Sequence, residues 1–432
     1  MKIKMAKGRL LHFDEILAAI TVLLVLNPLA YGKFNPIWTM GVSIIWIVFA
    51  LIANWNAFAK AITDKVVVAS LVFPIVMLIN SVFREDIVFE KRCILDVVCI
   101  LIGRYYYFSR DYKKSTFLVN IMMAYLMIIS IVTVFQLRTN SNIARLMASD
   151  LTASYATPFT GGYGSVYCLV FLLIALFGVV VLRWEKRKNI TRFIPLLAAY
   201  AFFILRAQYV MAVLITFVGF LLVFFNQNKK ATAVTIFLFF LALIVYFFSG
   251  FHISNLLFRI AENFPVTSFF HTRLIQLGNL MKSVSNGSIA NVGQGKWIRF
   301  EIYKTTFDAF IKNPLWGIGN QNISEIGNHS SILDLFGGFG LLSGSVILLS
   351  KLYMLLKIKI ASGNRYRYVQ SIISGLFVLF MLINNADRNE FTLVIFGLIP
   401  LLLDYYAAEE KYGIALPFIS KLVDIRKKRR IS

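Results

Sequence analysis

The chain is poor in the residues that soluble enzymes use for metals, disulfides and acid–base pairs. Its 432 residues include three cysteines, four histidines and 21 acidic residues, against 44 basic ones. Cys93, Cys99 and Cys168 fall in or beside apolar runs, with neither a disulfide framework nor zinc-ligand spacing, which makes them core thiols. His12, His252, His271 and His329 also lack ligand spacing, and no HExxH occurs. The absence of any Asp-x-Asp pair removes the usual metal clamp for a nucleotide-sugar diphosphate. There is no GxxxxGK[ST]: Gly293-Gln294-Gly295-Lys296-Trp297 lacks the hydroxyl and the upstream glycine spacing, which argues against an ATP-driven transporter core. Internal repeats and low-complexity tracts are missing too. Nothing in the sequence asks for a metal or a cofactor.

What is abundant is apolar surface. Hydrophobic residues make up 59% of the chain and the mean hydropathy is +0.74, whereas soluble proteins average about 45–50% apolar. Repeated apolar runs predict an all-α polytopic membrane protein with about twelve spans. They lie near 15–31, 37–54, 66–83, 92–108, 116–136, 165–182, 191–205, 208–225, 231–249, 331–350, 369–385 and 391–406. Asp96 interrupts the fourth and Arg104 closes it early. No small-residue cleavage site follows MKIKMAKGR and the first run, so the first span is expected to remain. The run from Ile190 to Phe225 would span more than about 50 Å as one helix, against a hydrocarbon core of about 30 Å. It is therefore expected to break into a hairpin at Arg206-Ala207-Gln208.

The net charge of +23 is a matter of distribution. With this topology, 29 of the 44 basic residues fall in segments assigned to the cytoplasm and eight in the short outer segments. That bias places both termini inside. It also reads the terminal RKKRR as an anchor on anionic lipid, with no nucleic-acid partner. Three regions follow: 1–249 with the first nine spans, 250–330 as an extracytoplasmic loop carrying a short amphipathic helix, and 331–432 with the last three spans and a basic tail. Gly161-Gly162 provide a flexible approach to the sixth span.

The stretch Arg299 to Gly344 carries most of the information. A polar helix with Ile302, Phe307, Phe310 and Ile311 at helical spacing stops at Asn313-Pro314. Gly317, Gly319 and Gly327 then form a turn-rich passage. His329 stands at the mouth of the next apolar run, which Gly337, Gly338, Gly340 and Gly344 thin for close packing. Outer-side basic residues complete the set: Arg206, Arg273, Arg299, Lys304 and Arg388. A metal-free site for a departing pyrophosphate needs several such groups, because arginine offers a fixed donor fork and stays charged.

The passage Arg299-x-x-x-Tyr303, Asn313-Pro314-Leu315-x-Gly317-x-Gly319, Asn328-His329-Ser330 and Gly337-x-x-Gly340 resembles the O-antigen polymerase/ligase superfamily, which includes the Wzy-type polysaccharide polymerases. Arg206 is similar to an arginine that this family carries on an outer tip, although Leu205 stands where the family has serine and Ser330 where it most often has asparagine. The resemblance implies a GT-C-like membrane fold and a glycosyltransferase of the bacterial cytoplasmic (inner) membrane with its active site on the periplasmic side. It implies undecaprenyl-pyrophosphate-linked glycans as donor and acceptor, membrane lipids around them, and a chain-length regulator as a further partner. A sugar hydroxyl of one lipid-linked repeat would attack the anomeric carbon of another, building O-antigen or capsule for the cell envelope. Carried over by residue, Arg206 and Arg299 would hold the pyrophosphate and His329 would act as base or hydroxyl orienter. Tyr303, Lys304, Arg273 and Arg388 would bind substrate.

Each residue also has a plainer reading. Arg206 can snorkel to headgroups, Arg299 can be a solvated helix charge, and Ser330 or Asn328 can simply cap a helix beside His329. Asp387 and Arg388 read as a local ion pair, and Glu301 and Asp308 as partners of Lys304 and Lys312. Three alternatives stay open at this level: an O-antigen ligase of the same superfamily, a lipid-linked oligosaccharide flippase or transporter, and a membrane scaffold. A transporter should show related halves, which are not found.

Overall fold

The computed structural model describes residues 4–27, 36–83, 91–139, 143–144, 157, 159–186, 190–191, 193–207, 209–225, 250–266, 269–285, 298–319, 326–327, 329–358 and 364–412. Among these every regular element is helical. By length and composition five stretches can cross a membrane, or six if the bent pair Trp55–Ile62 and Lys65–Asn80 counts as one span. Three shorter apolar helices cover Trp38–Ala53, Ile194–Arg206 and Met211–Phe224. The chain is a polytopic helical membrane protein. Of the twelve apolar runs expected, the one at 231–249 lies outside the described residues.

In chain order the helices are α1 (Lys4–Leu26), α2 (Pro36–Ala53), α3 (Trp55–Ile62), α4 (Lys65–Ser70), α5 (Val72–Phe83), α6 (Lys91–Ser109), α7 (Tyr112–Thr139), α8 (Tyr163–Glu185), α9 (Ile194–Arg206) and α10 (Val210–Phe224). They are followed by α11 (Gly250–Glu262), α12 (Phe269–Ser285), α13 (Ile298–Lys312), α14 (Ser331–Lys357), α15 (Asn364–Ile383) and a terminal rod. The rod consists of α16 (Asn389–Thr392), a π-helical turn (Leu393–Leu398) and α17 (Ile399–Tyr412). A helix that is apolar all round belongs inside other helices. Accordingly, 83% of the apolar window of α8 and 94% of that of the rod are buried, and these two form the axis of the bundle. Glycines allow the closest approach to the rod: a Cβ on Gly103 of α6 would lie 3.0 Å from the carbonyl carbon of Gly397 in the π turn.

At one end of the bundle, charges from remote helices neutralise one another. Lys114 bonds both carboxylate oxygens of Asp14 at 2.7 and 2.9 Å. Arg183 meets Glu409 at 2.6 Å, Arg365 meets Glu185 at 2.9 Å, and Lys186 pairs with Glu410. Arg104 belongs to this group, which corrects the expectation that it closes the fourth span. Helix α6 runs on to Ser109 because Arg104, buried to 1% exposure, donates through Nε and Nη2 to Asp64 at 3.0 and 3.1 Å. Its guanidinium also covers the Tyr107 ring at 4.3 Å. A charge in an apolar interior is tolerated when a partner and hydrogen bonds replace its water. Asp96 does not interrupt α6 either, since Asn389 donates to it at 2.7 Å.

The run Ile190–Phe225 breaks where expected, between Arg206 and Val210. The region 250–330 holds more than the single short helix expected, because α11 and α12 precede α13 and pack on each other, with Gly278 closing on Phe258. α13 ends at Lys312, ahead of Asn313-Pro314. Gly161 is closely packed: its N–H donates to Thr133 Oγ1 at 2.7 Å, and an added Cβ would lie 2.7 Å from Ile129.

The tenth expected span, 331–350, is not a straight rod. α14 turns at Gly340, whose φ of 67° and ψ of −173° are open to glycine. Beyond the turn the arms fold back on each other, for a Cβ on Gly344 would lie 2.9 Å from the carbonyl oxygen of Leu335. In a straight helix nine residues would separate those positions by about 13 Å. The turn breaks the helical ladder, including the bonds 341 to 337 and 342 to 338. The loop after α13 inserts into the break and supplies new partners for these four groups. Ile318 and Gly319 donate to the carbonyls of Gly337 and Gly338 at 3.0 Å each, and Leu341 and Leu342 donate to those of Pro314 and Leu315 at 2.8 and 3.2 Å. Non-helical backbone at membrane depth survives only when its polar groups are satisfied in this way. The Pro-Leu-x-Gly-x-Gly turn and the glycines of α14 are therefore one device.

Candidate functional site at the Leu382–Glu390 segment

A helix leaves its last carbonyls without intrahelical partners. At the end of α15 these groups, and the residues after them, are met by groups from four other helices or their caps. Leu382 O accepts from Ser330 Oγ at 2.6 Å and Ile383 O from the Tyr303 hydroxyl at 2.8 Å. Asn384 O accepts from Ser331 N at 3.2 Å, and Asn385 O from the Tyr163 hydroxyl at 2.9 Å. Ala386 N donates to Ser331 Oγ at 2.7 Å. Asp387 then pairs with Lys351, Arg388 Nε with Glu390 Oε1 at 2.8 Å, and Asn389 with Asp96.

This arrangement corrects the local pair expected between Asp387 and Arg388. The backbone turns tightly at Asp387, where Arg388 N donates to Ala386 O at 2.9 Å, and extends at Arg388. Asp387 reaches the second arm of α14 while Arg388 turns toward α8, its guanidinium 5.8 Å from the centre of the Tyr163 ring. A cavity beneath the segment is lined by Ser70, Phe73, Asp96, Lys351, Asp387 and Thr392, so charged groups border a space inside an otherwise apolar body.

Several of the residues singled out in the sequence gather at this end. Tyr303 touches the segment directly. Thr306, one turn further along α13, accepts from Gly327 N at 2.8 Å and donates to Asp334 at 3.2 Å, which fastens α13 to α14. Arg299 occupies α13 one turn before Tyr303; its side chain lies outside the described residues. His329 is exposed and immediately precedes Ser330, the N-cap of α14. Arg206 is exposed at the end of α9. The chain just after it joins the site through Tyr209, whose ring lies 6.1 Å from Tyr163. Arg388 is part of the segment itself.

Lys304 and Arg273 stand apart. Lys304 is exposed. Arg273 donates to Gln276 on its own helix at 2.6 Å, and α12 packs chiefly on α11. Asn328 is outside the described residues, and the capping is done by Ser330, whose Oγ accepts from Leu333 N at 3.2 Å. Ser330→Ala removes this cap and the bond to Leu382 together, with an expected cost of about 1–3 kcal/mol, read as a lower unfolding temperature of the purified protein.

Sequence reasoning missed Asp96 as a structural partner, along with Lys351, Tyr163, Asn384 and Glu390. The available signal for the first two was a charge inside an apolar run, which in a membrane protein marks a paired or functional group. The other three carry no local signal, because only the packing of α8 and α14 against the 384–390 segment gives them their neighbours. No protein-family model matches the chain, and no curated protein matches it.

Proposed function

We propose that this protein is a membrane glycosyltransferase that lengthens undecaprenyl-pyrophosphate-linked oligosaccharides on the outer face of the bacterial cytoplasmic membrane. The observation that carries the reading is the meeting of sequence-remote elements at the Leu382–Glu390 segment. The helix bearing Arg299 and Tyr303, the cap bearing His329, and Arg388 all attach there, and the hairpin tip bearing Arg206 joins through Tyr209 and Tyr163. Arginines at one end of an apolar bundle suit a lipid-linked pyrophosphate, whose tail stays in the bilayer while its charge meets fixed donor forks. An exposed imidazole just ahead of the α14 cap suits the attacking sugar hydroxyl.

In this reading the hydroxyl oxygen of the acceptor sugar bonds to the anomeric carbon of the donor. The bond from that carbon to the pyrophosphate oxygen breaks, its electron pair leaves with the phosphate, and the hydroxyl proton passes to His329. The arginines stabilise the charge that builds on the leaving group.

The test uses the purified full chain in detergent with the lipid-linked oligosaccharide extracted from its native membrane. A ladder of longer glycans is expected. Transfer solely to added lipid A core would replace polymerase by ligase. Movement of the lipid across proteoliposomes without lengthening would replace the enzyme by a transporter.

A further inference from the structure

The Arg388–Glu390 pair leaves one group unexplained. Glu390 is only 6% exposed, and its Oε1 bonds Arg388 while its Oε2 has no hydrogen-bond partner. Four residues before Arg388, the amide nitrogen Nδ2 of Asn384 is likewise buried, at 3% exposure, and without a partner. Buried polar atoms in native proteins are nearly always satisfied, so two such atoms on either side of one arginine call for a ligand or water. The carboxylate is firmly seated: a Cβ on Gly164 would lie 2.9 Å from its Cδ, and only glycine at that position leaves it room.

The chemistry of the three groups narrows the ligand. A carboxylate oxygen only accepts, so its partner must bring a hydrogen and cannot be a phosphate oxygen. An amide nitrogen only donates, so its partner must be an oxygen. The guanidinium between them in sequence is a fork for phosphate. An acceptor, a donor and a phosphate fork in one segment complement a hydroxyl-bearing ring joined to a phosphate.

We propose that Glu390 and Asn384 form a subsite for the sugar that carries the pyrophosphate. Glu390 Oε2 accepts from a sugar hydroxyl, Asn384 Nδ2 donates to a sugar oxygen, and Arg388 engages the adjoining phosphate. The proposal rests on the glycosyltransferase reading above and names the part of the substrate that this segment reads.

The experiment measures dissociation constants of the purified full chain for two probes: undecaprenyl pyrophosphate, and the same lipid bearing its native oligosaccharide. Wild type is expected to prefer the sugar-bearing lipid by about 10- to 100-fold, the range of a hydrogen bond to a charged group. Glu390→Gln keeps an acceptor for Arg388 but replaces Oε2 with a donor. It is expected to lose the preference, read as the ratio of the two dissociation constants. Gly164→Ala, which displaces the carboxylate without changing it chemically, is expected to lose the preference in the same way. No preference in wild type, or a full preference in a folded Glu390→Gln protein, overturns the subsite. Wild type that shows the preference yet makes no longer glycan overturns the glycosyltransferase reading and leaves the subsite standing.

Discussion

Replacing Arg206, Arg299 or His329 by alanine is expected to abolish glycan lengthening while the protein still folds. Removing one preorganised donor from a developing charge lowers rates by about 10²–10³-fold, and losing a proton acceptor costs about 10²–10⁴-fold. Either loss removes visible ladders in the purified system. Arg299→Lys is expected to be nearly as poor, because a point charge does not reproduce a bidentate fork. Arg206 and His329 are exposed, so their removal should leave the unfolding temperature within a few degrees of wild type. Both quantities come from one preparation: ladder length on a gel and the unfolding midpoint in detergent. Full ladders from all three alanine variants would remove this set of residues from the site.

The second large effect is structural. Gly340→Ala and Gly317→Ala are each expected to destabilise the protein by more than about 4 kcal/mol, an exceptional loss for one methyl group. Two causes add. Both residues have positive φ, 67° and 70°, which costs an alanine about 1–2 kcal/mol. In addition, the new methyl would overlap backbone, with Leu315 and Gly317 facing Gly340, and Gly338 facing Gly317. Backbone cannot rotate aside as a side chain does. Separating the loop from α14 would break the four bonds that heal the turn. With total stabilities of about 5–15 kcal/mol, the expected result is loss of monodisperse protein on extraction. Gly375→Ala is the control, since nothing stands within 4 Å of its added methyl. Normal extraction of Gly340→Ala would show that the turn does not need glycine.

These two predictions draw on different kinds of information. The Arg206, Arg299 and His329 set comes from residue types and spacing, and the structure adds that their helices share one end of the bundle. The Gly340 prediction comes from tertiary structure. The sequence shows four glycines in an apolar run and suggests close packing, but it does not reveal that the partner is the Pro314–Gly319 loop. Nor does it show that the run turns back at Gly340. Hydropathy averages over a window and cannot register one residue with positive φ.

Charged residues divide in the same way. Composition places Arg104 and Asp96 inside an apolar run, and local reasoning treats them as interruptions. Their partners, Asp64 and Asn389, are 40 and 293 residues away. Asp387 and Arg388 look paired because they are adjacent, but the tight turn at Asp387 gives them different partners, Lys351 and Glu390.

The amino-acid sequence by itself determined the membrane class, the helical hairpin at Arg206, the helix stop at Asn313-Pro314 and the buried state of the three thiols. All of these follow from hydrophobic runs, proline geometry and local charge, which act within a few residues. The tertiary structure alone decided the folded-back α14, the partners of buried charges such as Arg104 and Asp96, and the unsatisfied oxygen of Glu390. Those features depend on which distant backbone and side-chain groups meet once water is excluded, and no local pattern encodes that choice.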